Sequence, residues 1–150
     1  MNTKAIWEYL RQAGEVDKQA VRVLKAIVAV TLDDEMWART GFTIDLIDDT
    51  KLIASAHGVS LVGEYAQVIY GDGVDSELRG AIEFRKNEQG KGVGDPLHSV
   101  IFDRFGNVSI SGSSELKDPL LHQYNEAAAK ARRQLTTHLV GAIQTLLRRV

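Results

Sequence analysis

The chain has 150 residues, a formal net charge of −2 and no cysteine. That length predicts one domain with a full apolar core. The missing cysteines exclude disulfides and thiolate metal sites, as expected for a reducing cytoplasm. No apolar run approaches a membrane span, and Met1–Leu10 carries no signal-peptide core, so a cytoplasmic protein without membrane contact is expected.

The charge is segregated: residues 1–31 carry +2, residues 32–117 carry −7 and residues 118–150 carry +3. An acidic centre argues against a nucleic-acid platform, because phosphate binding needs the opposite sign. Attraction between mildly basic helices and acidic strands and loops accounts for the pattern within one molecule.

In chain order, residues 3–13 read as a short amphipathic helix with Ile6, Trp7 and Leu10 on one face, broken by Gly14. Asp17 then caps a second helix to about Thr31, with Val21, Leu24, Ile27 and Val28 on its apolar side. The acidic stretch Asp33-Asp34-Glu35 follows, and Thr40-Gly41 closes the helical region. Trp7 and Trp37 are expected as core anchors; exposure would make either one a binding platform.

From Phe42 the apolar period changes to two. Phe42, Ile44 and Leu46 alternate with Thr43 and Asp45, Asp48-Asp49 turns the chain, and Lys51–His57 returns as the second strand of a hairpin. Gly58 marks a bend, and Val59–Tyr70 is a long strand apolar on both faces, hence central. After the Gly71-Asp72-Gly73 turn, Leu78–Lys86 alternates cleanly, with Leu78, Ile82 and Phe84 on one side and Arg79, Glu83 and Arg85 on the other. The glycine-rich stretch 87–96 reads as a mobile loop. Ser99–Arg104 and Val108–Ser111 form a further hairpin, with Ser109 and Ser111 facing away from Val108 and Ile110.

The last third predicts one uninterrupted helix, Asp118–Val150. Asp118 and Pro119 suit its N-cap and first position, and Leu121, Tyr124, Ala128, Ala131, Leu135, Leu139, Ala142 and Leu146 recur at helical spacing. Such a helix spans about 46 Å, as long as a domain of this size is wide, so it must cover the whole sheet or overhang toward a partner.

The expected fold is α+β: N-terminal helices, an antiparallel meander of about six strands, and a long C-terminal helix packed across the sheet. In element order this resembles the helix-grip arrangement of START-like and Bet v 1-like domains. That resemblance implies a small apolar or lipid ligand held between the sheet and residues 120–147. The α–β–α outline and size also resemble bacterial secretion chaperones and small immunity proteins, which implies a protein partner.

Candidate chemistry is sparse. Gly90-Lys91-Gly92-Val93-Gly94 offers backbone amides to a phosphate but lacks the Gly-Lys-Ser/Thr and the strand–helix setting of nucleotide loops. The acidic pairs at Asp33–Glu35 and Asp48-Asp49 lack calcium-loop spacing, and turn and helix-end chemistry explains them. The histidines His57, His98, His122 and His138 lack metal spacing. If the second and fifth strands are neighbours, His57 and His98 meet, with Asp103 or Glu64 nearby, as a hydrolase or isomerase would need. The favoured expectation is a non-enzymatic protein-interaction module of bacterial chaperone, immunity or adaptor type, without cofactor or metal, binding another protein or a second copy of itself. Its expected binding face is Arg79, Glu83, Arg85, Ser109 and Ser111 together with Asp33, Asp34 and Glu35.

Overall fold

A single apolar stripe organises the first helix. In the computed structural model, which describes residues 3–29, 40–121 and 126–150, α1 runs without a break over Thr3–Val28. Gln12, Val16, Ala20, Val23, Leu24 and Ile27 recur at three- and four-residue intervals and are all buried. The expected break at Gly14 does not occur. An interior glycine costs a helix about 1 kcal/mol, whereas fully burying Val16, Val23, Leu24 and Ile27 contributes roughly 6–12 kcal/mol at the usual value per side chain. An added Cβ at Gly14 would meet nothing within 4 Å. Gly14→Ala is therefore expected to raise stability by about 0.5–1 kcal/mol, read as a higher urea midpoint at unchanged slope.

Six strands follow in one antiparallel sheet ordered β1-β2-β3-β4-β5-β6, a meander: β1 Thr43–Asp48, β2 Lys51–Ala56, β3 Val59–Tyr70, β4 Glu77–Glu88, β5 Lys91–Asp103 and β6 Val108–Ser109. Two-residue turns with both residues at positive φ, His57-Gly58 (φ 53° and 73°) and Gln89-Gly90 (φ 56° and 85°), join β2 to β3 and β4 to β5. That backbone matches the twist of the strands it connects.

The second of these turns corrects the expected loop at 87–96. Lys86, Asn87 and Glu88 pair with Val93, Gly92 and Lys91, so Gly92 and Gly94 belong to β5 and Gly90 to the turn. The irregularity lies further on, where residues 94–97 stand opposite Arg85 alone, between the Lys86–Val93 and Phe84–His98 pairs. A bulge is where a sheet tolerates a residue such as Pro96 that has no amide hydrogen to give.

Directly opposed residues share a face. The inner face carries Leu52, Ala54, Leu61, Ile82, Phe84, Val100 and Phe102, and both helices pack on it. Two glycines on this face admit two aromatic rings from the neighbouring strand: Gly63 lies opposite Phe84 and Gly80 opposite Phe102. The sheet is curled around them.

The C-terminal helix is shorter than expected. α2 spans Glu126–Gln144, 19 residues, and buries Ala128, Ala131, Leu135, Thr136, Leu139 and Ile143. Asp118 is not its cap. The Asp118 amide donates to the Val108 carbonyl at 2.8 Å, and its carboxylate accepts the Ile110 amide at 2.8 Å. The segment at 118 thus extends the sheet edge beside β6, and one backbone and one side-chain hydrogen bond outweigh the local helix-start signal. At about 1.5 Å per residue α2 covers roughly 28 Å, within the width of the sheet. The 26-residue α1, at roughly 39 Å, is the long helix of this fold. Among the described residues no helix is long and apolar enough to cross a membrane.

Candidate functional site

The face of the sheet opposite the helices carries Arg79, Glu83, Arg85 and Ser109 together, as the alternation predicted. Arg79 lies opposite Asp103, Glu83 opposite Ser99, Val62 opposite Arg85 and Ile101 opposite Ser109. It is not an open surface. Arg79 is only 8% exposed, and Asp103, Ser109, Val62 and Ala81 are also buried.

Two segments cover this face. From the stretch after β6, the Ser114 carbonyl accepts Arg79 Nη1 at 3.0 Å, and the Ser113 amide donates to Ser109 Oγ at 2.9 Å. From the bulged start of β5, the Gly92 amide donates to Glu64 Oε1 at 3.3 Å, and the Gly94 carbonyl accepts Arg85 Nε at 3.1 Å. Arg79 also bonds Glu77 at 2.6 Å and lies 3.8 Å over the Tyr70 ring, while Arg85 pairs with Glu83 at 3.4 Å. Arg79 and Ser109, expected on the binding face, thus hold the covering segments in place. Glu83 and Arg85 are partly buried, and Ser111 is exposed. Asp33, Asp34, Glu35, Trp37 and His122 lie outside the described residues.

His57 and His98 are not brought together by the strand order, because β3 and β4 separate β2 from β5. His57 contacts Gln144 at the end of α2, with Nε2 3.3 Å from the side-chain amide. His98 meets His138 of α2 instead. Their ring centroids are 5.0 Å apart and the rings are inclined by 17°. His98 Nε2 donates to the Ile110 carbonyl at 2.6 Å. Burial holds His98 below the ordinary histidine value; the neighbouring His138 adds to this, and the Ile110 carbonyl opposes it. Beside the pair an open pocket of about 330 Å³ is lined by Ile110, Ser111, Asp118, Gln134, Thr137 and His138.

This convergence was only half visible in the sequence. Period two puts His98 on the inner face with Val100 and Phe102, but its partner is 40 residues away on another element. Among the described residues no three His, Cys, Asp or Glu side chains form a metal-sized group.

The remaining exposed feature is apolar. Ile6, Trp7 and Leu10 on α1 are 47%, 66% and 61% exposed. At 100° per residue these three point roughly 110° away from the buried stripe of the same helix. Tyr9 hydrogen-bonds Ser76, and the Gln12 side chain accepts the Leu78 amide at 3.0 Å, which seats this half of α1 beside the β3–β4 turn. Val74 in that turn and Ile69 at the end of β3 are exposed as well. Further along, Asp17 accepts from Tyr65 at 2.7 Å and from Gln67 at 2.9 Å, so it fastens α1 to β3 rather than capping a helix.

No known protein family, curated protein or solved structure matches this chain. What can be inferred about its function therefore rests on these surfaces.

Proposed function

We propose that the protein is a non-enzymatic interaction module that docks a protein partner through the N-terminal half of α1. The observation that carries this reading is the exposure of Trp7, Leu10 and Ile6 on one side of one helix. A tryptophan two-thirds in water is an unusual use of the largest apolar side chain, and Trp is among the commonest anchors of protein interfaces. The helix is long and is fastened to the sheet at Tyr9, Gln12 and Asp17, so these side chains are presented on a firm support. The partner is another protein or a second copy of this chain, and the absence of cysteine fits a reducing compartment.

The test is the double substitution Trp7→Ser/Leu10→Ser. The wild-type protein is examined by sedimentation for self-association and by affinity capture from its native source for other partners. The double variant is expected to weaken whichever association the wild type shows by about 100-fold, with an unchanged thermal midpoint. Undiminished association in the double variant would move the binding surface elsewhere.

A further inference from the structure

We propose that His98 and His138 form an acid-sensitive latch, which holds α2 against the β5–β6 edge of the sheet and releases it when both rings carry a proton. The geometry comes first. The two rings belong to different elements, one on β5 and one on α2, and lie nearly parallel at 5.0 Å between centroids. His98 presents Nε2 to the Ile110 carbonyl, so in the neutral ring the proton sits on Nε2 and Nδ1 is bare. A second proton therefore goes to Nδ1 and makes His98 a cation.

One imidazolium beside a neutral ring is a favourable pair. His98 is partly buried and His138 exposed, so two imidazolium rings at this separation repel across a site that is shielded from water on the His98 side. The groups that face the pair decide how much of that repulsion is relieved. From β4 comes the Phe84 ring, 6.3 Å from His98. From α2 come Gln134 and Thr137, both neutral, and Thr137 Oγ1 already donates to the Arg133 carbonyl at 3.1 Å. From the stretch after β6 come Ser111 and Asp118. Among the described residues that line the pocket Asp118 is the one carboxylate, and it is already engaged by the Ile110 amide. It can balance one imidazolium and not two.

The same contacts link the pair to the fold. His138 stacks on His98, His98 holds Ile110, and Ile110 holds Asp118, whose amide closes the sheet edge on Val108. The neighbours of His138 on α2, Leu135 and Leu139, are buried in the core. Separating the rings therefore loosens the middle of α2 from the sheet. The open pocket beside the pair gives water and protons access to it.

The direction with pH follows from linkage. His98 binds its proton less readily in the folded protein than in the unfolded chain. The contribution of the closed pair is thus fully present above the ordinary histidine value of about 6.5, and it is lost as the pH falls below that value and through the lower value of the folded protein.

Hydrogen exchange of the folded protein at pH 7.5 and pH 5.5, corrected for the intrinsic pH dependence of amide exchange, tests the proposal. Exchange in α2 around His138 is expected to rise severalfold relative to β3 and β4 on acidification. His138→Gln is expected to remove that rise, and His57→Gln at the far end of α2 is expected to preserve it. An NMR titration of the histidines in the same proteins should place His98 below the ordinary histidine value and move it upward in His138→Gln. Parallel exchange of α2 and the strands at pH 5.5, or a rise that persists in His138→Gln, would overturn the latch. So would a His98 titration that does not respond to His138→Gln.

Discussion

Gly80→Ala is expected to destabilise the protein by about 3 kcal/mol or more, at the upper end of what overpacking one methyl group costs. A Cβ at Gly80 would lie 2.2 Å from the Phe102 ring, which is itself fully buried, so the ring has nowhere to retreat. For a chain of this size that is roughly 6–12 °C in thermal midpoint. Relief should come from the ring rather than the backbone: Gly80→Ala/Phe102→Leu should recover part of the loss, even though Phe102→Leu alone weakens the core. The check is a double-mutant cycle by urea unfolding. Additive single effects would mean that the glycine and the ring are not coupled and that the tight approach is not a determinant of this sheet.

Asp103→Ala is expected to cost about 3 kcal/mol through a different mechanism. Asp103 is buried at the end of β5, where its Oδ1 accepts the amides of Phe105 at 2.9 Å and Asn107 at 3.0 Å, and its Oδ2 accepts Asn107 Nδ2 at 2.9 Å. Hydrogen bonds to a charged acceptor are roughly twice as strong as neutral ones, and removing the acceptor strands two backbone donors in a tight turn. Asp103→Asn keeps one acceptor oxygen and should lose clearly less than the alanine variant. Equal urea midpoints for wild type and Asp103→Ala would show that the β5–β6 turn is held by its backbone alone.

Both residues were within the reach of a sequence reading as elements and beyond it as interactions. Alternation located the strand that carries Gly80 with bounds close to those observed, and of the strand that carries Asp103 it located the second half, from Ser99 on. It could not say that Gly80 would face Phe102, because opposition depends on the register between two chains as well as on the pattern within one. The sheet was legible because a strand's side chains leave the backbone at a fixed period of two, and the buried face of each strand is apolar. The expected hairpins followed because each turn carried its own local chemistry, such as Asp48, whose Oδ1 accepts the Thr50 amide and hydroxyl at 2.8 Å.

The helices were harder for a physical reason. Gly14 and Asp118-Pro119 are helix punctuation of nearly equal local strength, about 1 kcal/mol each, and both were overruled. At Gly14 the buried stripe from Gln12 to Ile27 carried the helix through. At Asp118 the free edge of β6 captured the residue as a sheet partner. These two outcomes redirected the functional reading. A break at Gly14 would have left the face of Ile6, Trp7 and Leu10 free to turn toward the core, whereas a continuous helix commits it to solvent. A helix starting at Asp118 would have overhung the sheet, whereas α2 as it stands does not.

The amino-acid pattern alone therefore settles the class of the fold, the six strands and their order along the chain, and which side of each strand is apolar. These follow from local periodicity and burial, which each segment carries in itself. Where each helix begins and ends, which polar side chains are locked beneath covering segments, and which histidines meet were settled by long-range contacts. Each rests on a balance of one or two kcal/mol between a local signal and a competitor distant in sequence, and such a competitor is visible only once the chain is folded.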